Sequence, residues 1–429
     1  MSDNEIDIVI STLGARGDGC GRGAEGRTLF VAGALAGERV RVVVEDAVGA
    51  VPRGRLVEVL EPAPGRAVPD CRHFLDCGGC VAQHMDAGLY ENWKRGIIAD
   101  ALAQAGVAAN VGPLQRVPKA SRRRARLFAV RTATGVAVGF QASGSHRVVD
   151  MTMCPAVEPA LFAFVAPLRA FLAEVIDPSA RAEAEVQVVD GALDVVLRLP
   201  GSLDWGMCER LVAFGRDAGV ARIGWQPLAR GRRAKAEPPE TVAAFSAIRA
   251  VFGGIPVALP PLAFLQASVA GECALTAAVT ASLADGIRVA DLYAGAGTFT
   301  LPLAKTRHVD AFDGAPDLIA ALDAAARASG LGTRVTATAR DLERRPLSAR
   351  ELAAYDAAVF DPPRGGAEAQ ARELARSDVG TVVAVSCNPA TFARDARILV
   401  DGGYEIGPVM PIDQFRWTRH VELVAAFRR

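Results

Sequence analysis

From about residue 285 the chain alternates short apolar runs with alanine-rich stretches, and this alternation limits the fold more than any other feature. RVADLYAG, HVDAFDG, AYDAAVFDPP and TVVAVSCNP have the length and apolar content of buried strands. APDLIAALDAAARASG, AEAQARELARS and TFARDARILVDGG lie between and after them and have helical composition. Strand and helix in alternation predict a doubly wound parallel sheet, an α/β Rossmann-like domain over residues 256–429.

The rest of the chain has other patterns. IDIVIST, RTLFVAG, ERVRVVVED and GRLVEVLEP are β-branched runs parted by glycine-rich turns, so residues 1–62 predict a small β-barrel of OB-like type. The glycines of LGARGDGCGR suit a tight loop between barrel strands. PAPGRAVPDC is a linker by composition. Residues 63–255 form a central α+β region: a cysteine-rich segment, a helix from about Asp86 to Gln104, then a mainly antiparallel sheet over 121–200. Residues 83–114 are expected to pack with the C-terminal domain. Residues 205–255 carry little signal.

Lys plus Arg equal Asp plus Glu at 48 each, so a nucleic-acid surface, if present, is local. Two basic clusters can supply one: Lys119 with Arg122, Arg123, Arg124 and Arg126, and Arg230, Arg232, Arg233 and Lys235. Either is equally a solvated face. No apolar stretch reaches the roughly 20 residues of a membrane helix, and the acidic start lacks a signal-peptide pattern. A cytoplasmic monomer with no membrane contact is expected. In a reducing compartment clustered cysteines read as metal or catalytic sites before disulfides.

Asp291-Leu-Tyr-Ala-Gly-Ala-Gly-Thr298 ends one predicted strand and opens a helix. Gly295 and Gly297 let backbone approach a ligand at the carboxyl edge of the sheet. The next strand ends in Asp313, 16 residues after Gly297, where an acid can accept two ribose hydroxyls. The third glycine of a dinucleotide fingerprint and the Lys-Ser/Thr pair of a phosphate loop are both missing. A ligand with ribose and no phosphate fits, and S-adenosylmethionine is such a ligand. Asp341 could then receive the adenine amine, or simply cap a turn.

Two further strand ends carry chemistry. Asp361-Pro-Pro-Arg364 follows AAVF, with prolines that end the ladder and stiffen the exit. Ser386-Cys387-Asn388-Pro389 follows VVAV in the same way. An isolated cysteine is most often a small buried hydrophobe. Here polar flanks, a stopping proline and a cofactor loop on the same edge favour a nucleophile.

DLYAGAGTFTLPLA, FDPPRGG, SCNPATFARDARIL and the terminal HVELV, in that order, resemble the RNA uracil-5-methyltransferase family, and the N-terminal segment resembles its TRAM domain. The resemblance spans nearly the whole chain. It implies transfer of a methyl group from S-adenosylmethionine to uridine C5, with Cys387 as nucleophile at C6 and Glu422 as proton acceptor. It places Gln266, Tyr293, Asp313 and Asp361 at cofactor positions, with Thr298 and Asp341. Thr298 stands where an amide is common, Asp313 where Glu is, and Asp341 where Asn is.

Cys71-x5-Cys77-Gly-Gly-Cys80 with the distant Cys154-Pro155 suits structural zinc or an iron–sulfur cluster by spacing alone. CRHFLDCGGCVAQHMDAGLYENWK resembles the iron–sulfur segment of the family's larger members, which implies a [4Fe–4S] cluster. Cys20, Cys208 and Cys273 have no partner at motif spacing and read as fillers.

RNA is the expected partner, met as a flipped or single-stranded uridine. The run Arg122, Arg123, Arg124 and Arg126 is expected to contact phosphates, and members with both barrel and cluster point to 23S ribosomal RNA ahead of transfer RNA. A base amino-group methyltransferase is a second reading, because Asp361-Pro-Pro-Arg364 resembles an acid-Pro-Pro-aromatic motif, but it leaves Cys387 idle. A non-catalytic RNA-binding protein is a third, opposed by the complete set of catalytic motifs.

Overall fold

A computed structural model describes residues 5–23, 26–45, 52–228 and 238–429. Arg230, Arg232, Arg233 and Lys235 lie outside the described residues.

The N-terminal strands Glu5–Leu13, Gly19–Arg22, Thr28–Val31, Arg39–Glu45 and Arg53–Glu61 close into a barrel. Its core is Ile8, Ile10, Leu29, Val31, Val40 and Val42, the inward half of each alternation. The glycine run divides: Gly14 and Gly17 lie in the tight turn between Glu5–Leu13 and Gly19–Arg22, while Gly19 and Gly21 are in strand. A Cβ on Gly19 would stand 2.8 Å from the Ala34 carbonyl and one on Gly21 2.7 Å from the Val9 carbonyl. These glycines serve close backbone approach across a small barrel.

The barrel is clamped to the linker by a buried ion pair. Glu38 is fully buried and accepts from the Leu35 N–H at 2.8 Å and from the Arg66 guanidinium at 2.7 Å. The cysteine segment carries no helix or long strand. It is laced to its surroundings by single bridges, Arg66 to Met85 and Cys77 to Ala142.

A six-stranded sheet runs Glu240–Ala244, Val220–Pro227, Ala192–Leu199, Arg181–Val189, Arg124–Thr132, Gly135–Gly139. All its pairs are antiparallel except Ala192–Leu199 with Val220–Pro227, which the helix Trp205–Asp217 connects. Residues 205–255, weak in sequence signal, therefore supply two strands of this sheet and a separate hairpin, Arg249–Phe252 with Ile255–Ala258.

The C-terminal sheet has nine strands. Its parallel part runs Val335–Ala339, His308–Asp313, Arg288–Leu292, Ala357–Phe360, Thr381–Ser386. Chain order reverses between Arg288–Leu292 and Ala357–Phe360, and ligands of such sheets bind outside the carboxyl ends at that switch. Every residue of Ala357–Phe360 is buried, as a strand covered on both faces requires. Glu422–Arg428 then inserts antiparallel beside Thr381–Ser386, with Met410–Asp413 beyond it. Gln115–Arg116, from far upstream, adds the last strand alongside Ile412–Asp413. The helix Ala87–Gln104 shares the core of this sheet through Tyr90, Trp93, Ile98 and Leu102, which joins residues 83–114 to the C-terminal unit.

Candidate active site

The first βα turn carries the loop expected to meet the cofactor. Tyr293 holds φ +63°, a left-handed conformation unusual for a side chain of its size, at the point where the chain leaves the strand Arg288–Leu292. Gly297 has φ +101°, and a Cβ there would stand 2.5 Å from Leu322 Cδ1, so only glycine fits. Asp313, at the end of the neighbouring strand, accepts from the Gly295 N–H at 2.9 Å and the Ala315 N–H at 2.8 Å. Its carboxylate thereby fixes the loop it faces. Thr298 is half-buried within that loop. Asp341 is exposed, and its Oδ1 accepts from the Glu343 and Arg344 N–H groups at 3.1 and 3.2 Å. It therefore caps its own turn.

Below the loop, Asp291 is 1% exposed and accepts from the Thr300 hydroxyl at 2.5 Å. Its Oδ1 has no partner among the described residues. Burial pushes its pKa up to about 7, with Asp361 and Asp313 adding repulsion.

Asp361 leaves the next strand of the switch and accepts from Gln266 Nε2 at 2.8 Å. Burial pushes this acid up to about 7 as well. Gln266 Oε1 accepts in turn from Gln414 Nε2 at 2.7 Å, and Gln414 Oε1 accepts from the Ala267 N–H at 2.9 Å. The two amides orient each other, and Gln266 is left one defined donor for Asp361.

Cys387 stands at the end of the strand Thr381–Ser386, one residue before the N-cap of the helix Pro389–Asp401. Asn388 caps that helix, and its Nδ2 donates to the Arg364 carbonyl at 3.0 Å, tying the two motif turns together. Burial pushes the Cys387 thiol up to about 11, and the acids Glu422 and Asp361 add to this while Arg364 opposes it. Glu422 opens the antiparallel strand paired with Thr381–Ser386 and is 3% exposed. Burial, then the charge of Asp361, pushes it up to about 8, against Gln414, Arg124 and Arg364. Its Oε2 has no partner among the described residues. Three acids raised by burial, Asp291, Asp361 and Glu422, and a thiol thus share one edge, an environment that favours a cationic ligand.

The basic run divides by strand alternation. Arg122 and Arg124 face the site, with Arg122 against the Phe415 ring at 5.7 Å and Arg124 against the Phe264 ring at 4.4 Å. Arg123 points the other way. It is 4% exposed, ion-paired with Glu272 at 2.6 Å and hydrogen-bonded to the Gln266 carbonyl at 2.9 Å. Its expected phosphate contact is ruled out by burial: it supports the base of the Gln266 turn instead. Arg126 is exposed and paired with Glu183, its Nε donating at 2.9 Å.

A cleft of about 1090 Å³ opens beside the site. Cys71, Cys77, Cys80 and Cys154 line one end, barrel residues Arg16 and Arg53 another, and Arg364, Gln414 and His420 mark where it meets the catalytic edge. Cys387 and Asp361 are not on its walls. Among the described residues, no three His, Cys, Asp or Glu side chains are grouped to hold a single metal ion. Three of these thiols nonetheless feel their neighbours: Cys80, pushed up to about 12 mainly by burial, is raised further by Cys154, Cys77 and Cys71, and burial raises Cys77 and Cys154 as well.

Gln414 and Arg364 act at this site without having been singled out by sequence. Gln414 comes from the loop before the last strand, and no local pattern marks it. Arg364 stood in a quoted motif, but its reach to both Cys387 and Glu422 depends on three strands meeting.

The chain matches the family model described as tRNA (Uracil-5-)-methyltransferase over residues 266–428. It is 41% identical over 420 residues to a protein of Mesorhizobium japonicum named an uncharacterized RNA methyltransferase, covering 97% of each chain. It is 34% identical over 438 residues to the 23S rRNA (uracil(1939)-C(5))-methyltransferase of Halomonas elongata, covering 98% of this chain and 89% of that one. The fold matches the crystal structure of the Pyrococcus abyssi tRNA (uracil-54, C5)-methyltransferase with S-adenosyl-L-homocysteine at a TM-score of 0.73 and 22% identity, over 100% of both chains. The chain belongs to the RNA uracil-5-methyltransferase family and is an S-adenosylmethionine-dependent RNA methyltransferase.

Proposed function

We propose that the protein methylates C5 of a uridine in 23S ribosomal RNA in the cytoplasm through a covalent adduct of Cys387. The observation that carries the mechanism is the meeting of Cys387, Glu422 and Asp361 at one edge of the sheet, close enough that both acids raise the Cys387 thiol and Asp361 raises Glu422. The ribosomal substrate rests on likeness to the full-length Halomonas enzyme.

Uridine C5 is a weak nucleophile. Addition of Cys387 as thiolate at C6 makes C5 enolate-like, which is nucleophilic catalysis by a cysteine; the charge of Arg364 favours that thiolate against burial and the neighbouring acids. S-adenosylmethionine supplies the methyl group on a sulfonium. Once C5 is methylated, Glu422 takes the C5 proton, the C6–S bond breaks and the thiolate is restored. Atoms balance as one methyl gained and one proton released.

Asp361 and the Gln266–Gln414 pair shape the pocket between cofactor and base. Tyr293, Gly295, Gly297, Thr298, Asp313 and Asp341 form the cofactor side in this reading. A bound sulfonium brings positive charge to an edge crowded with acids, so it favours the charged form of Glu422.

Cys71, Cys77, Cys80 and Cys154 are proposed to hold a [4Fe–4S] cluster with a structural role. Their shared cleft and mutual charge effects fit four thiolates around a cationic core. The barrel, with Arg122 and Arg124, would bind RNA around the target.

The test is incubation with 5-fluorouridine-substituted 23S RNA fragments and S-adenosylmethionine. A covalent protein–RNA complex is expected, and it should vanish in Cys387→Ala. No complex on an RNA the enzyme methylates would refute the adduct. Transfer of methyl groups to transfer RNA alone would replace the ribosomal assignment.

A further inference from the structure

Lys94 is the one lysine among the described residues with no exposed surface, and it lies outside every catalytic motif. It projects from the helix Ala87–Gln104 into the loop that joins Met410–Asp413 to Glu422–Arg428. Its Nζ stands 3.0 Å from Asp413 Oδ1 and donates to the Phe415 carbonyl at 3.4 Å and to the His420 carbonyl. Tyr90, one turn earlier on the same helix, donates to Asp413 Oδ2 at 2.8 Å and accepts from the Trp417 N–H at 2.8 Å.

Trp417 holds φ +60°, and its carbonyl accepts from the Val81 and Ala82 N–H groups at 2.8 and 3.2 Å. A buried ammonium is costly unless paired and hydrogen-bonded. Here its partners are both ends of a single loop. That loop holds Gln414, bonded to Gln266, and stops two residues before Glu422. Asp413 and Gln414 are neighbours, so one side chain answers to Lys94 while the next faces the reacting edge.

We propose that Lys94, with Tyr90, is a positioning residue that fixes the Asp413–His420 loop so that Gln414 and Glu422 address the uridine ring. The inference rests on Glu422 being the proton acceptor. Addition of Cys387 does not pass through this loop, since Cys387 is held by the strand Thr381–Ser386 and the Asn388 cap. Loosening the loop therefore slows proton removal and release of the adduct, and leaves its formation intact.

The experiment uses the full-length enzyme with ordinary uridine RNA and S-adenosylmethionine. Lys94→Met and Tyr90→Phe are compared with wild type for kcat, KM and the fraction of enzyme trapped on RNA. Lys94→Met should lower kcat about 10- to 100-fold, as a misplacement near 1 Å can, with KM for RNA within about twofold. It should also accumulate the covalent complex that wild type turns over.

Tyr90→Phe keeps the ring and should give the same signature more weakly, which covers the case of Lys94→Met failing to fold. Wild-type kcat in folded Lys94→Met, or a loss of kcat without trapped complex, would overturn the proposal. So would normal turnover in Tyr90→Phe if Lys94→Met does not fold. Absence of the 5-fluorouridine complex in wild type would instead refute the adduct reading beneath it.

Discussion

Glu422 should make the folded protein less stable as pH rises, and Glu422→Gln should remove that dependence. The side chain is 3% exposed with one oxygen unpartnered among the described residues. Burial raises its pKa from 4.5 to about 8. Below about pH 4.5 the carboxyl is protonated in both folded and unfolded chains, and its charge costs nothing. Above that the unfolded chain releases the proton while the folded one keeps it, so stability falls until the folded group also ionises near pH 8.

At about 1.4 kcal/mol per unit the ceiling is roughly 5 kcal/mol. Asp361, pushed up beside it, shares this cost, so the figure for Glu422 lies below that ceiling, on the order of a few kcal/mol. For a unit the size of the C-terminal sheet that is of order 5–10 °C in the melting midpoint. Calorimetry on wild type and Glu422→Gln from pH 5 to 9 should show the difference moving in the variant's favour by that amount. A pH-independent difference would mean that Glu422 is not a buried, raised acid. Because the proposed acceptor must be charged, release of methylated RNA from the wild-type covalent adduct should quicken over the same range.

Three other perturbations separate roles that the sequence leaves merged. Arg123→Met breaks the buried pair with Glu272 and should cost about 3–5 kcal/mol by denaturant titration. RNA affinity of the folded variant should stay within about twofold, and a stable variant with lost RNA binding would reverse the assignment. Gly297→Ala places a Cβ 2.5 Å from Leu322 Cδ1 at φ +101°, so calorimetric titration should show weakened S-adenosylmethionine binding and about 1–3 kcal/mol lost. Cys154→Ser should lose iron and acid-labile sulfide while still binding S-adenosylmethionine. Zinc instead of iron in the wild-type protein would replace the cluster with a single-ion site.

The strand–helix alternation after residue 285 and the glycines and acids at its strand ends were legible in order along the chain. Local pattern is sufficient there because each motif sits where its own strand stops, and a parallel sheet places all those ends on one edge. The run from Arg122 to Arg126 marks the limit of local pattern. Strand alternation sends Arg122 and Arg124 to the site and buries Arg123 against Glu272, and composition cannot show which face is covered. The contacts of Gln414 and of Lys94, the last residue of the quoted cysteine segment, were hidden for a stronger reason. Their contacts span 148 residues to Gln266 and 321 to Phe415, and only the antiparallel insertion of Glu422–Arg428 and the docking of the helix Ala87–Gln104 close those distances. Local pattern in the sequence names Asp361 and Cys387 among the residues proposed to carry methyl transfer, because each lies where its own strand stops. The tertiary structure alone decided which are buried together, and burial is what raises the thiol and carboxyl pKa values and fixes the loop before Glu422.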